Sequence, residues 1–268
     1  MVPALDHVAL AVRDFEAVVD GYARLFGRTP ARADGDGVRR AWFHFPNMAF
    51  EIVAPDDEAD GEGAAGDRVR ARLEAAGEGQ WLVALAVDDV EAAARLVARR
   101  GLAVAPAGEA AFVSAAGLDI VLTRPREAEP SAPAGPDPVA ALDHVVVYSP
   151  NPDRAAGVYG AKLGMELRLD RTNEKWGARQ QFYRCGGAVF EVGASLKTPV
   201  GDGPDSFGGL AWRVDDPDAV RARLAAAGFN VSEVRPGRKP GTKVFTVRDA
   251  PAGVPTLMLS AEPQMERV

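Results

Sequence analysis

One plan recurs four times along this chain, and a repeat of that kind restricts the possible folds more than any other property of the sequence. Each copy runs strand, amphipathic helix, then several strands. The first opens with LDHVALAV from Leu5. Its helix carries Phe15, Val18, Val19, Tyr22, Leu25 and Phe26 at helical spacing and stops at Gly27, and strands follow over Val38 to Phe45 and Met48 to Ala54. The second has WLVALAV, the helix DVEAAARLVARRG and strands near Leu102, Ala111 and Leu118 to Thr123. The third reads LDHVVVYS, DRAAGVYGAKLG, MELRLD, ARQQFYRC and AVFEVGA; the fourth reads GLAWRVDD, PDAVRARLAAAG, a strand near Val231, TKVFTVRD and PTLMLS. Two stretches interrupt the pattern. Arg126 to Ala140, rich in Pro, Ala and acidic residues, reads as a linker between domains, and the Asp/Glu/Gly-rich stretch Asp56 to Asp67 divides the first domain into halves.

The first and third units share a pair of residues that the other two lack. His7 and His144 lie on the opening strands, and Glu51 and Glu191 lie on the closing strands AFEIV and VFEVG. Strand parity tests whether each pair can work together. On the first strand Val8, Leu10 and Val12 form the larger apolar set and should face the helix, which places His7 on the other face. A two-residue turn at Pro46-Asn47 pairs Trp42 with Glu51 and Phe43 with Phe50, so Arg40, Trp42, His44 and Glu51 share the helix-free face with His7. A Gly186-Gly187 turn in the third unit likewise groups Gln180, Phe182, Arg184 and Glu191 with His144. Imidazole and carboxylate on one concave face are the groups that a divalent metal or a proton-abstraction site requires. Trp81 and Tyr148 suit aromatic walls for such a cleft.

Composition narrows the function classes. With 268 residues the chain is long enough for two domains of roughly 130 residues each. A net charge of -7, with no basic stripe, argues against a nucleic-acid partner. Nothing approaches the apolar length of a membrane span, and the expected location is cytoplasmic. The single cysteine, Cys185, excludes an intrachain disulfide and reads as a small strand hydrophobe. The basic helix RVRARLEAA reads as a solvated surface. GDGPDSFGG and RPGRKPGTK match no phosphate loop and read as loops between strands, and there is no G-x-S-x-G, HExxH or CxxC.

A βαβββ unit that opens with L-D-H-V, carries a Y…LG phrase at its helix end (Tyr159 to Gly164) and closes on F-E-[IV] resembles the vicinal oxygen chelate superfamily, which includes glyoxalase I, methylmalonyl-CoA epimerase, extradiol dioxygenases and bleomycin-binding proteins. The resemblance implies an α+β fold of two tandem glyoxalase-like domains with curled mixed sheets. The first would span residues 1–125 (units 1–55 and 80–125), the linker 126–140, and the second domain 141–268 (units 141–196 and 207–262). In metal-dependent members of such a family the ligands come from the opening and closing strands of paired units. Carried onto this chain, the metal positions are His7, Glu51, His144 and Glu191, whereas the matching positions of units two and four are Leu82, Val121, Gly209 and Leu257.

Three arrangements stay open at this point. Units one and three could meet to form one site of two His and two Glu, suited to Zn, Ni, Mn or Fe. Each half-site could instead hold a metal completed by water or a chelating substrate. Or each pair is a metal-free hydrogen-bonded dyad. His44 could be a third ligand or a pocket wall, while Arg40, Trp42, Gln180, Phe182 and Arg184 would contact the small-molecule ligand. The resemblance then implies a metal-dependent isomerase or lyase acting alpha to a carbonyl, with Glu51 or Glu191 moving the proton and no organic cofactor. An extradiol dioxygenase or a thiol transferase is disfavoured by the missing second histidine. The alternative is a metal-free protein that sequesters an aromatic antibiotic or metabolite. Either would act as a monomer or homodimer.

Overall fold

The computed structural model describes residues 3–56 and 63–260. The middle of the polar stretch expected over Asp56 to Asp67, and residues 261–262 at the end of the fourth unit, lie outside the described residues. The first unit comprises β1 (Ala4–Ala11), α1 (Phe15–Phe26), β2 (Ala31–Arg32), β3 (Val38–Phe45) and β4 (Met48–Pro55), and is followed by α2 (Ala64–Ala76). The second unit has β5 (Gly79–Ala86), α3 (Val90–Arg99), β6 (Ala103–Ala107), β7 (Ala110–Ala115) and β8 (Leu118–Thr123). The third has β9 (Ala141–Tyr148), α4 (Pro152–Ala155), β10 (Glu166–Asn173), β11 (Ala178–Cys185) and β12 (Ala188–Ser195). The fourth has β13 (Ser206–Val214), α5 (Pro217–Ala226), β14 (Arg235–Pro236), β15 (Lys243–Val247) and β16 (Thr256–Ser260).

The helices start and stop for local reasons. Asp14, Asp89, Asn151 and Asp216 each cap an N-terminus by accepting from a backbone N–H of the first turn. Gly27 ends α1 in the left-handed conformation, as the sequence predicts. The helix that begins as α4 widens over Ala156–Lys162 into a π-helical stretch, in which Leu163 N–H reaches the Val158 carbonyl.

Two eight-stranded mixed sheets result, in the orders β2-β3-β4-β1-β5-β8-β7-β6 and β10-β11-β12-β9-β13-β16-β15-β14. Unit one therefore joins unit two through antiparallel β1·β5, and unit three joins unit four through β9·β13. Both tight hairpins fall where expected, with Phe45 opposite Met48 and Cys185 opposite Ala188. Val8, Leu10, Phe43, Phe50 and Ile52 share a core with α1, and Val145, Tyr183, Phe190 and Val192 face the third unit's helix in the same way. That core is continuous between the domains: Trp212 of β13 packs on Phe26, Phe45 and Phe50 at ring distances of 4.6, 5.0 and 5.7 Å. The helix-bearing faces thus meet in the middle of the molecule, and the two concave faces point outward.

The linker is an ordered strap. Arg28, buried, donates to the carbonyls of Val139 and Ser131, while Ser131 N–H donates to the His44 carbonyl. Helix α2 departs from the solvated surface expected of RVRARLEAA. Its Val69 and Leu73 are buried against Ala11, Val38 and Val53 on the concave face of the first sheet. Arg68 lies over the Phe112 ring, and Arg72 donates to the carbonyls of Gly77 and Gln80. The arginine stems and heads are used in covering the sheet, which a count of basic residues does not reveal.

Candidate functional site

Both His/Glu pairs form, one in each domain. The register places His7 two positions before the β1 residue that pairs with Glu51, and His144 stands in the same relation to Glu191. His7 Nε2 lies 3.7 Å from Glu51 Oε2, and His144 Nε2 lies 3.4 Å from Glu191 Oε2. Trp42 and Phe182 sit directly opposite the two glutamates, as the turns predict. The set of four ligands drawn from units one and three is not formed, because those units belong to separate sheets whose concave faces diverge. Each cleft gets its other half from unit two or four. There the register puts Leu82 and Val121 at the positions of His7 and Glu51, and Gly209 and Leu257 at those of His144 and Glu191.

Each histidine is aimed by a residue that parity reasoning passes over. Asp6 Oδ2 is 2.6 Å from His7 Nδ1, and Asp143 Oδ1 is 2.8 Å from His144 Nδ1. Neighbours in a regular strand point to opposite faces. Here a register shift falls on each aspartate: the pairing of β1 with β5 skips Asp6, and that of β9 with β13 skips Asp143. The bulge turns the carboxylate toward the ring of the next residue. The signal was the repeated D-H dipeptide. Burial pushes the Asp6 carboxyl up, but the hydrogen bond and charge of His7 together with Arg126 hold it below the usual range; for Asp143 burial is likewise outweighed by His144, Arg213 and Lys239. With Nδ1–H donated to an aspartate, each histidine presents Nε2 toward its glutamate.

The two clefts differ in access. In the first domain Arg40 pairs with Glu51 at 3.1 Å, and Arg126 from the linker lies 3.8 Å over Trp42 while its N–H donates to Asp6. Trp42 meets the His7 ring edge-on and stacks on His44. With α2 across the end of the face, Ala9, Ala11, Trp42, Leu82, Ala84 and Val121 are all buried. In the second domain residues 196–205, which replace α2, carry no helix. The position equivalent to Ala11 (0% exposed) is Tyr148 (58% exposed), whose ring lies against Gly193 and Gly208. Val146, Phe182, Leu257 and Leu259 are only half-buried. At the floor, Gln180 donates to Glu191 at 2.6 Å and accepts from Arg171 at 3.2 Å, with Arg171 over the Phe182 ring. Arg171 was not anticipated from sequence. Arg184, expected in this cleft, is exposed and pairs with Glu166 at 3.6 Å instead.

Among the described residues the donors of each His/Glu pair number two, an imidazole and a carboxylate. Among the described residues no group of three or more His, Cys, Asp or Glu side chains is placed to hold a metal ion. Catalytic metals ordinarily take three protein ligands, so this donor set does not by itself fit a resident divalent ion. His44 adds no third ligand: its ring stacks on Trp42, and burial and the Arg126 charge lower its proton affinity. Among the described residues no helix is long and apolar enough to cross a membrane.

Comparison with known proteins agrees with the tandem-domain fold. The family described as Glyoxalase/Bleomycin resistance protein/Dioxygenase superfamily matches residues 6–121 and 143–246. A triple mutant of 4-hydroxymandelate synthase from Streptomyces coelicolor is similar over 98% of this chain and 94% of its own, with a TM-score of 0.74 and 18% identity. The halotolerant catechol dioxygenase BphC matches 97% of this chain and 87% of its own, with a TM-score of 0.70 and 11% identity. A xylose isomerase-like TIM barrel/4-hydroxyphenylpyruvate dioxygenase fusion protein is similar over all of this chain and 51% of its own, at TM-score 0.68 and 13% identity. Likeness at these identities is a likeness of fold. No curated protein matches the sequence.

Proposed function

From a chain that belongs to the glyoxalase/bleomycin resistance protein/dioxygenase superfamily, we propose an isomerase or lyase that moves a proton alpha to the carbonyl of a small molecule held on the concave face of the second domain. The observation that carries this reading is the contrast between the clefts. The same Asp-His-Glu constellation recurs in both, but in the first domain its wall is covered by α2 and Arg126 and the His7 side chain is 10% exposed, whereas in the second Tyr148 and Phe182 are less buried and the His144 side chain is 19% exposed. Glu191 is the base. Asp143 fixes the His144 ring, and the 3.4 Å gap between His144 Nε2 and Glu191 is where a proton taken from carbon is held and returned. The C–H bond breaks toward Glu191, its electron pair moves into the carbonyl, and the Arg171 guanidinium offers charge to the enolate oxygen or to a substrate carboxylate. No step needs a metal held by the protein. The first-domain pair then serves to tie β1, β3 and β4 together.

The test is solvent isotope exchange. Small 2-oxo acids and acyl thioesters incubated in D2O with the protein should exchange the alpha proton, followed by NMR. Glu191→Gln should abolish exchange and Glu51→Gln leave it intact; exchange that survives Glu191→Gln sinks the proposal. The half-buried Val146, Phe182 and Leu257 favour a second reading, sequestration of an aromatic molecule. Saturable binding of a chemically unchanged ligand, insensitive to Glu191→Gln, would select it. Stoichiometric metal that is lost in His144→Ala would instead restore a metal-dependent enzyme.

A further inference from the structure

β10 and β14 are the first and last strands of the second sheet, yet their turns touch. The Arg238 guanidinium, on the β14–β15 loop, lies 4.5 Å over the ring of Trp176 in the β10–β11 turn. The register puts these turns at opposite ends of β9. Ala178, just past the β10–β11 turn, pairs with Ser195 near the Tyr148 end. Val244, just past the β14–β15 loop, pairs with Leu259, which leads through Arg213 to Ala141 at the start of β9. Edges so far apart meet only where the sheet curls, and its helix-bearing side is filled by α4, α5 and the shared core. The contact therefore spans the concave face. Lys239, next to Arg238, is near enough for its charge to act on Asp143, the carboxylate that aims His144. In the first domain the corresponding β6–β7 turn is only Gly108-Glu109, and α2 covers the face instead.

Each turn is held locally. Trp176 N–H donates to Asn173 Oδ1 at 3.1 Å, and the Gly177 carbonyl accepts from Leu196 N–H at 2.8 Å. Gly237 N–H donates to the Thr242 carbonyl at 2.8 Å, and the Thr242 hydroxyl to the Lys239 carbonyl at 2.7 Å. The tie between the turns is looser: both side chains are exposed, and a cation over an exposed ring is a weak contact. Rotation of the long Arg238 side chain breaks it without refolding either turn. The charges nearby point to what draws it away. Arg154, Arg179 and Arg213 of this domain hold carboxylates. Arg171 and Arg238 rest on the Phe182 and Trp176 rings instead, and neither makes an ion pair among the described residues. Arg171 Nε is also buried without a hydrogen-bond partner among them. In the first domain Arg40 neutralises Glu51, whereas Gln180 stands in its place here. Two guanidinium groups without a counter-charge thus stand at the floor and the roof of one cleft, and a carboxylate matches their planar fork.

We propose that Arg238 and Trp176 form a latch across the second-domain cleft, opened by a carboxylate-bearing ligand that draws Arg238 off the ring and leaves Trp176 over the ligand's carbon chain. The ligand half rests on the proton-transfer reading, which puts the small molecule in this cleft; the latch itself does not. Diethyl pyrocarbonate, followed by mass spectrometry at each histidine, reads the latch with no ligand present. Trp176→Ala and Arg238→Ala, both at exposed positions, should each speed modification of His144 by about threefold, the weight of an exposed cation–π contact, and leave His7 unchanged. 2-Oxobutanoate should protect His144 in the parent chain, and Arg238→Gln should need about tenfold more of it for the same protection. Butan-2-one, which lacks the carboxylate, should act alike on both chains. An unchanged His144 rate in both alanine variants, or an equal rise at His7, would overturn the latch. Absence of protection at tens of millimolar 2-oxobutanoate, or protection that Arg238→Gln does not alter, would overturn the role of the carboxylate. Protection without alpha-proton exchange would sink the proton-transfer reading and leave the latch standing.

Discussion

Asp6 and Asp143 show why a residue can be plain in a sequence and its role invisible. Each stands beside a histidine in an L-D-H-V phrase, and simple alternation sends it to the opposite face. Only the bulge, a property of pairing with β5 and β13, turns it back. His7, Glu51, His144 and Glu191 were legible because alternation holds at their positions. Asp143→Asn should let the new amide donate to Nδ1 and present the wrong ring nitrogen to Glu191. Alpha-proton exchange should then fall on the order of a hundredfold or more with little change in substrate affinity, a split read from kcat and KM. His44 makes a second prediction at this scale. Burial first, and the Arg126 charge second, lower its pKa from 6.5 against the opposing charge of Asp6. The unfolded chain therefore takes up this proton at a higher pH than the folded one. The contribution of His44 to stability is complete above 6.5 and is lost as pH falls below that value toward the folded pKa. Urea unfolding across this window should show the slope in the parent protein and a shallower one in His44→Gln.

Among the elements, the strands were readable and α2 was not. Two glycines at 186 and 187, or Pro46-Asn47, fix a hairpin locally, and the hairpin fixes which residues oppose Glu191 and Glu51. The sequence RVRARLEAA has only Val69 and Leu73 to bury, so its packing depends on a sheet face that no local pattern specifies. That face is the one bearing His7. Leu73→Ala should destabilise the protein by about 2–5 kcal/mol in urea unfolding and expose His7 to diethyl pyrocarbonate, while exchange in the second domain stays near the parent rate. Retention of the parent's His7 protection would show that Arg126 and Trp42 seal the cleft without α2. The β7–β8 turn is constrained from across the junction. Gly117 has a φ of +97°, and a Cβ there would lie 2.4 Å from the Pro204 side chain. Gly117→Ala combines a strained backbone with an interdomain clash, and its expected cost is about 1–3 kcal/mol or more by the same measurement.

The whole molecule is two sheets around one core, and this decides how it unfolds. Repeats with short linkers suggest domains that fold separately, which is how the four units read along the chain. The structure instead buries Trp212 of the second domain among Phe26, Phe45 and Phe50 of the first. Arg223 of α5 donates to the carbonyls of Arg24 and Leu25 at the end of α1, using acceptors that the helix terminus leaves free. Asn47 in the first domain's hairpin turn reaches the carbonyls of Leu142 and Gly187. None of these partners is near in sequence, so none could be read from spacing. Neither helix-bearing face has solvent as its natural neighbour, and separating the domains would expose a contiguous aromatic surface to water. The chain should therefore unfold in one transition, with calorimetric and van't Hoff enthalpies in agreement and fluorescence and circular dichroism coincident. Trp212→Ala should lower stability by about 3–5 kcal/mol, and the loss should appear in both domains at once by hydrogen exchange. Two resolved transitions, with the first domain unaffected by Trp212→Ala, would mean that the shared core is a contact between independent units.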